Sequence, residues 1–449
     1  MTRRNGPGLA ALSTAVVLLC ASAWIMPAAL VSAAPPRGKG VKPGVMPPVL
    51  PGAPAAPSGD AGGARTHAPG FAATVEFIGS HATVFVLKPL DGGARVAVSP
   101  DMAGRVMVST YAGDAGPALG WINRPVVAGK RDEQFVNYGG AERLWLSPEG
   151  GKFSPFFAPG TKFTFENWRV PGAFNNEPLK VRAQSTTRIE MEGDLELVNH
   201  AGTALSLKLE RTVSLLEPAE AAILLDCGFP EGVDLVAYRT DNAVTNRGTA
   251  AMTKKTGLVS LWILAMFTPS KDTLVLAPVL KGAEGPVVID DYFGKVPPDR
   301  LVYDRRQACV VFRADGRERG KIGIPPARAR DVIASIDYEN ELLTIMKFSR
   351  SGEGSYLANA WKDSPDPFGG DAVNSYNDGP PAPGMPALGG FYELENLSPA
   401  KELKPGGKLS HWSAVVHLHG PLAKLAMIGR RVLGVDILKL ERPGRQKGR

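Results

Sequence analysis

Apolar and polar residues alternate with a period of two through one long stretch of the chain, from Arg188 to Leu216. Apolar side chains alternate with acidic ones in residues 189–197 and with polar ones in residues 205–209, and His200-Ala201-Gly202 lies between the two runs. A period of two buries one face of a strand and leaves the other in water, which is typical of an antiparallel sheet. The pattern therefore predicts two paired strands joined by a short turn.

Shorter apolar or alternating runs, separated by Gly, Pro and Asp, predict further strands. They are residues 75–77, 83–87, 95–98, 105–108, 222–225, 258–267, 273–278, 287–290 and 308–313. Helical periodicity is scarce, and the clear case is residues 421–433, where a proline begins the segment and leucines recur on one side. The sequence therefore predicts an all-β fold with few short helices.

Two glutamates share one face of a predicted strand near the C-terminus. Alternation in Phe391–Glu395 places Tyr392 and Leu394 on one face and Glu393 and Glu395 on the other. A turn at residues 404–407 leads to a second strand that carries half of the six histidines, His411, His417 and His419. Carboxylates and imidazoles are the usual acid and base groups of enzymes, so we expect function in this region.

The segment from Asp371 to Gly379 has neither a helical nor a strand period, and we interpret it as a binding loop. Glycines at 369, 370 and 379 and prolines at 380 and 381 flank it and permit sharp turns. Such a loop can present amides, a ring and a carboxylate to a ligand. The candidate binding residues here are Trp361, Asn374, Tyr376, Asn377 and Asp378.

Three further segments, residues 120–125, 137–150 and 290–295, combine rings, amides and charged groups. Taken singly, such residues are ordinary turn, ion-pair or core residues. Together they match the hydroxyls and the apolar ring face of a sugar. The candidates are Asn123, Arg124, Glu142, Arg143, Asp291 and Tyr292. We expect one cavity to be lined by Asn123, Arg143, Asp291, Tyr376, Asn377, Asp378 and Glu395.

The N-terminus has the three regions of a secretory signal: Arg3 and Arg4, an apolar run from Leu9 to Val31, and the small-residue sequence Val31-Ser32-Ala33. We expect a signal peptide at 1–33 and export to the periplasm or the extracellular space. The alternative is an uncleaved anchor, because roughly twenty apolar residues can span a bilayer. Residues 34–70, rich in Pro, Ala and Gly, predict a disordered linker, 71–438 a single domain, and 439–449 a basic tail.

Charge and cysteine content exclude several classes of protein. Loss of the signal lowers the formal charge from +7 to +5, with 49 basic against 44 acidic residues, and the basic tail has no interleaved aromatics, so we predict no nucleic-acid partner. Cys227 and Cys309 remain, and we interpret both as buried thiols, with a disulfide as the alternative. We predict no metal, no cofactor and no membrane span after signal cleavage.

The C-terminal motifs resemble the galactose-mutarotase-like (aldose 1-epimerase-like) superfamily. The resemblance lies in the strand Tyr392-Glu393-Leu394-Glu395, in Ser398-Pro399-Ala400 and in the turn Glu402-Leu403-Lys404-Pro405-Gly406. Residues 139–145 and 260–267 resemble uncharacterised secreted bacterial members, and the resemblance covers about Phe71 to Leu438. It implies a β-supersandwich of large antiparallel sheets, with a sugar cleft on the concave face of one sheet.

By this resemblance Glu395, or failing that Glu393, would be the catalytic base, and His411 or His417 would protonate the ring oxygen of a sugar. The chain departs from the enzymes of the superfamily because it lacks their two-histidine spacing upstream of the base. We expect Glu395→Gln to change the free energy of unfolding by less than about 1 kcal/mol, since a cleft-facing carboxylate makes few packing contacts.

Three functions stay open, each with a carbohydrate ligand or the remnant of a site for one. The first is a carbohydrate-active enzyme, either a mutarotase-like epimerase or a lyase or hydrolase. The second is a noncatalytic glycan-binding module, and the third is a structural envelope protein with a decayed site. A close acid–base pair directed into a pocket favours the enzyme. Stacked aromatics over a groove without such a pair favour the binding module.

Overall fold

The computed structural model describes residues 69–351, 354–381 and 384–444. The predicted signal peptide, and the predicted linker up to residue 68, lie outside these residues. The described residues all belong to one compact unit. Within the described residues, no helix is long and apolar enough to cross a membrane.

The described residues form strands and short helices in an order that we number along the chain. The strands are β1 (Phe85–Leu87), β2 (Arg95–Ser99), β3 (Arg105–Thr110), β4 (Arg143–Ser147), β5 (Lys180–Gln184), β6 (Arg188–Val198), β7 (Ala204–Leu216), β8 (Asp234–Asn246), β9 (Ser260–Phe267), β10 (Thr273–Pro278), β11 (Leu301–Asp304), β12 (Cys309–Arg313), β13 (Gly320–Ile324), β14 (Val332–Asp337), β15 (Leu342–Phe348), β16 (Val373–Asn377), β17 (Tyr392–Leu397) and β18 (Lys408–His419). The helices are α1 (Phe71–Gly79), α2 (Arg124–Val127), α3 (Gly172–Asn175), α4 (Pro218–Leu225) and α5 (Leu422–Val432).

A ten-stranded antiparallel sheet has the order β11-β12-β10-β14-β15-β18-β8-β7-β6-β5. Strands β6 and β7 form the hairpin that strict alternation predicts, with Leu195 opposite Leu207 in the core and the intervening polar residues in water. The long strand β18 pairs with β15 on one side and with β8 on the other. One face of this sheet packs against α4 and α5 through an apolar cluster that includes Leu225, Leu425 and Ile428.

A five-stranded antiparallel sheet has the order β13-β16-β17-β9-β4 and packs on the other face of the ten-stranded sheet. The Tyr392 hydroxyl lies 2.8 Å from the Ser335 hydroxyl of β14, and Asn396 donates to the Ser413 hydroxyl of β18. These contacts identify the inner face of the smaller sheet. The predicted all-β class, with large antiparallel sheets in a sandwich, is confirmed.

A third, three-stranded sheet has the order β1-β2-β3, and α1 packs on it. Residues 75–77 were expected to be a strand, and this is wrong because they lie inside α1. Phe71, Thr74 and Ile78 of that helix are buried, and their spacing of three and four residues is typical of a helix. The strand prediction used only residues 75–77, which include none of these three positions.

Two other strand predictions are wrong. Residues 222–225 belong to α4, which begins with Pro218 and has a capping box between Glu217 and Glu220. Residues 287–290 form only an isolated bridge between Ile289 and Gly323. The predicted helix at 421–433 is confirmed as α5, whose apolar side faces the ten-stranded sheet.

The segment at 371–379, interpreted as a loop, contains the interior strand β16. All five residues of β16 are buried, although four are polar or aromatic. The strand therefore lacks the alternation of exposed polar and buried apolar residues that a half-exposed strand shows.

Cys309 is buried in β12, whereas Cys227 is half-buried after α4, and both are free thiols. Residues 439–444 of the predicted basic tail pack on the domain, where the Arg442 guanidinium lies 3.7 Å from the centre of the Tyr338 ring.

Candidate functional site

Glu393 and Glu395 of β17 lie on the outer face of the five-stranded sheet, away from the ten-stranded sheet. Tyr392, Leu394 and Asn396 face inward, so the predicted alternation along this strand is confirmed. The strand register places Tyr376 of β16 directly beside Glu393, and Asn374 directly beside Glu395. The two carboxylates therefore share one surface with the polar side chains of the neighbouring strand.

Three side chains from neighbouring strands bind the two glutamates. Lys321 of β13 donates to both oxygens of Glu395 at 3.1 and 3.0 Å, and the indole nitrogen of Trp262 in β9 donates to the same carboxylate at 3.0 Å. Arg143 of β4 forms an ion pair with Glu393, with Nη1 2.9 Å from Oε1. Glu395 is fully buried, whereas the side chains of Glu393 and Lys321 each keep 8% of their surface exposed.

Glu149 is a third carboxyl group at this surface, and it comes from the segment that leaves the sheet after β4. The Asn359 side-chain oxygen fixes this segment, because it accepts from the Glu149 amide at 2.9 Å and from the Ser147 hydroxyl at 2.8 Å. The Trp361 side chain lies next to Glu149 and favours its ionised form. The indole of Trp361 in turn stacks against Trp168 at 5.5 Å.

The three carboxyl groups have different electrostatic environments. Burial raises the pKa of Glu149 to about 7, against an opposing effect of the nearby Lys321 charge. Burial also raises the pKa of Glu393, while the Arg143 charge opposes this rise. The pKa of Lys321 is raised, because the negative charges around it, that of Glu395 first, outweigh the lowering effect of burial. Near pH 7 the cluster can therefore hold Glu149 in its protonated form, next to the Lys321–Glu395 ion pair.

Two hydrogen-bonded groups extend the site along the sheet. The Tyr292 hydroxyl donates to Asp371 and accepts from the Asn374 amide at 3.2 Å. Burial raises the pKa of Asp371 and of Tyr292. The Tyr376 hydroxyl donates to Asp378 at 3.1 Å, so Asp378 is connected to the face that holds Glu393.

The structure brings together only part of the predicted cavity. The predicted residues on the outer face of the five-stranded sheet or in contact with it are Arg143, Tyr292, Trp361, Asn374, Tyr376, Asp378, Glu393 and Glu395. Within this group Asp378 also accepts from the backbone amides of Gly389 and Gly390 at 2.8 Å, which fixes the turn before β17. Asp378 therefore has a structural role beside its contact with Tyr376.

Several predicted residues lie elsewhere. Glu142 precedes Arg143 and so points to the inner face, where it is fully buried and pairs with Arg211 at 3.0 Å. Asn377 binds the backbone of the loop before β13, since it accepts from the Gly316 amide and donates to the Glu318 carbonyl oxygen. The remaining three also lie outside the cluster: Asn123 caps α2, Arg124 stacks on the Phe77 ring at 3.7 Å, and Asp291 is an exposed residue next to Tyr292.

Neither histidine proposed as the acid lies with the glutamates. His411 and His417 are buried between the two larger sheets, where His411 contacts the Asn396 side chain at 2.6 Å and His417 contacts the Thr344 hydroxyl at 2.8 Å. Asn396 is on the inner face of β17, opposite to the two glutamates. Burial lowers the pKa of both imidazoles to about 3, so they are neutral at pH 7. The expected pairing of Glu395 with a histidine is therefore wrong.

Four residues of the site were missed as candidates: Glu149, Trp262, Lys321 and Asp371. Glu149 and Asp371 lie in the segments 137–150 and 371–379, which the sequence indicates as functional because they are polar and contain rings. Neither residue was among the candidates selected from those segments. Lys321 lies in the run Gly320–Ile324, which has one charge and no ring, and nothing in this run indicates that the lysine is buried. Among the described residues, no group of three or more His, Cys, Asp or Glu side chains is arranged to hold a metal ion.

The chain is an all-β sandwich with a buried cluster of carboxylates and cations on the outer face of its smaller sheet. It belongs to the family of unknown function DUF6786, whose model matches residues 69–443. A search of curated protein sequences found no match.

Solved structures resemble the fold at low sequence identity. The Slr1438 protein from Synechocystis sp. PCC 6803 is 12% identical, over 75% of this chain and 96% of that one, with a TM-score of 0.43. A galactose mutarotase related enzyme from Lactobacillus acidophilus is 10% identical over 75% and 97%, with a TM-score of 0.39. A galactose mutarotase-like protein from Lactobacillus casei is 11% identical over 75% and 100%, with a TM-score of 0.40. The resemblance noted in the sequence is confirmed to this extent, and these names assign no activity to the chain.

Proposed function

We propose that the chain is a carbohydrate-active protein in which Glu149 acts as the acid and Glu393 as the base. The observation that carries this proposal is that two carboxyl groups with different partners share this surface. Burial raises the pKa of Glu149 to about 7. Burial also raises the pKa of Glu393, but the Arg143 guanidinium, 2.9 Å away, opposes this rise and favours the ionised form. A carboxyl group that titrates near pH 7, next to one that is paired with a cation, is suited to acid–base catalysis.

Glu393 is a better base than Glu395 because of exposure and bonding. Glu395 is fully buried, and both of its oxygens accept hydrogen bonds from Lys321 or Trp262. Glu393 keeps a small exposed surface through which a substrate proton can reach it. In this proposal Glu395 fixes Lys321, whose charge contributes to the field around Glu149.

The reaction that fits this pair is the interconversion of sugar anomers. Glu393 removes the proton of the anomeric hydroxyl while Glu149 protonates the ring oxygen, so the bond from the anomeric carbon to the ring oxygen breaks and an aldehyde forms. The freed ring hydroxyl then attacks the aldehyde from either face and returns its proton to Glu149, while Glu393 gives its proton back to the carbonyl oxygen, which becomes the anomeric hydroxyl. Trp361 and Tyr292, both half-buried beside the cluster, supply ring surface and a hydroxyl for a sugar.

Export is part of the proposal and is supported by the charged, apolar and small-residue regions at residues 1–33. An exported protein of this kind encounters sugars outside the cytoplasm.

The test is a screen of the purified protein with free sugars, in which anomer exchange is measured by NMR and binding by calorimetry. We expect at least one sugar to exchange faster than in buffer, and Glu149→Gln to lower this rate by ~10² to 10⁴, the usual effect of losing a general acid. Glu210→Gln, an exposed carboxylate on the ten-stranded sheet, is the matched control. Binding without exchange would contradict the enzyme and support the glycan-binding module.

A further inference from the structure

A cavity of about 570 Å³ lies next to the carboxylate cluster. Its walls come from the prolines at 286, 325 and 326, from the segment Gly354–Tyr356, and from Phe368 to Asp371, with Arg350 at its edge. Its volume falls in the ordinary range of small-molecule sites, roughly 300 to 1,000 Å³. No residue proposed above for acid–base chemistry lines it.

A hydrogen bond between Asp371 and Tyr292 connects this cleft to the carboxylate cluster. Asp371 lines the cleft and accepts from the Tyr292 hydroxyl. On the other side, the Tyr292 ring centre lies 5.7 Å from the Lys321 ammonium group, which binds Glu395. The Tyr292 side chain therefore lies between the cleft residue Asp371 and the Lys321–Glu395 pair, which places the cleft beside the cluster.

The floor of the cleft is fixed by backbone contacts. The Gly370 amide donates to the Tyr356 carbonyl oxygen at 2.8 Å. A Cβ atom at Gly370 would lie 2.0 Å from the Leu357 carbonyl oxygen, so only glycine permits this approach. At the edge, Arg350 donates to the Pro326 carbonyl oxygen at 2.6 Å. The cleft is thus preformed, which lowers the entropic cost of binding.

The lining has the chemistry of a sugar site. Phe368 and the prolines supply apolar surface, and Arg350, Ser355 and Asp371 supply hydrogen-bonding groups. We propose that this cleft binds the second unit of an oligosaccharide whose reducing-end unit lies against Glu149 and Glu393. The proposal rests on the proposed function and extends it, because it makes oligosaccharides rather than free monosaccharides the preferred substrates.

Anomer exchange of matched sugars tests this preference. The probes are glucose and galactose, the disaccharides maltose, cellobiose and lactose, and the trisaccharide maltotriose. For at least one series we expect kcat/KM to rise about tenfold from the monosaccharide to the disaccharide, which corresponds to the contacts of one added unit. Phe368→Ala and Arg350→Ala should bring this ratio close to one and leave the monosaccharide value unchanged.

The matched controls are Tyr303→Ala and Arg305→Ala, an aromatic–arginine pair at β11, 5.7 Å apart and outside the cleft. They should keep the chain-length ratio, and melting temperatures show whether each variant is folded. Exchange of monosaccharides without any gain for longer sugars would overturn the cleft proposal and leave the proposed function intact.

If no sugar is exchanged, the proposed function fails and calorimetry with the same probes decides about the cleft. Binding of a disaccharide or trisaccharide that Phe368→Ala weakens about tenfold, and Tyr303→Ala does not, would support the cleft as a glycan site. Absence of binding for every oligosaccharide would overturn it.

Discussion

Lys321 of β13 donates to both carboxylate oxygens of Glu395 in β17, although β16 lies between these two strands in the sheet. Only 8% of the Lys321 side chain and none of the Glu395 side chain is exposed. An ion pair this deep requires that each charge has its partner, because an unpaired charge in the protein interior costs several kcal/mol. The pair is thus a structural centre of the candidate site.

We therefore expect Glu395→Gln to lower the free energy of unfolding by ~3 to 5 kcal/mol, since it leaves the Lys321 charge buried without its main partner. This reverses the expectation of less than about 1 kcal/mol, which assumed that the glutamate faces an open cleft. Urea unfolding at pH 7 measures the change. The double variant Lys321→Met/Glu395→Gln is the control and should recover part of the loss, because it removes both charges. A change below about 1 kcal/mol in the single variant would contradict a buried ion pair between Lys321 and Glu395.

The inner ion pair between Glu142 and Arg211 should behave in a similar way without touching the site. Both side chains are fully buried, so Glu142→Gln is expected to destabilise the protein by ~3 to 5 kcal/mol. The control is Glu190→Gln, which removes an exposed ion pair with Arg188 and should cost at most about 1 kcal/mol. Unfolding curves for the two variants provide the comparison. Equal stabilities would show that Glu142 is not buried.

The buried histidines should make the protein less stable in acid. The pKa of His417 is about 3 in the folded state and about 6.5 when unfolded, so its contribution is fully present above pH 6.5 and is lost as the pH falls toward 3. The loss is ~1.4 kcal/mol for each pH unit. In His417→Gln the dependence of unfolding free energy on pH between 6 and 4 should be weaker by this amount. The slopes are compared, because the substitution also changes packing; an unchanged slope would contradict a neutral buried imidazole.

Arg143 should control the pH at which the proposed base becomes active. Its charge favours ionised Glu393, so Arg143→Met should raise the Glu393 pKa further and move the acid limb of kcat/KM to higher pH by about one unit or more. Arg239→Met is the matched control, because Arg239 also stacks on a tryptophan, Trp412 at 4.7 Å, and pairs with a carboxylate, Asp241, away from the site. An acid limb that stays in place in Arg143→Met would exclude Glu393 as the base.

The sequence predicts those parts of the fold in which one face of a strand is exposed. The hairpin β6–β7 and the opposite faces of Tyr392 and Glu393 follow from a period of two. The interior strand β16 was missed, because a strand buried on both faces by polar side chains has no alternation. The short helix α1 was predicted as a strand because its three buried positions spread over eight residues, and the prediction considered only three of them.

Part of the candidate site was predicted from the sequence. Local pattern indicates which face a side chain takes, so the shared face of Glu393 and Glu395 could be found from it. Arg143, Tyr292 and Trp361 were found because they lie in or beside segments that combine rings, amides and charges. The partner Lys321 reaches the cluster through strand order, with β13 next to β16 although some fifty residues of chain separate them, and such order is not encoded in local pattern. Glu142 was a wrong candidate for a different reason: it directly precedes Arg143, and consecutive residues of an extended segment point to opposite faces.

The pH dependence of anomer exchange in Glu149→Gln and in the unchanged protein tests the central claim most directly. If protonated Glu149 is the acid, kcat/KM of the unchanged protein should fall as the pH rises through about 7, the pKa of this group. Glu149→Gln should reduce the rate by ~10² to 10⁴ and remove this basic limb. A variant with the same rate and the same basic limb as the unchanged protein would contradict the claim.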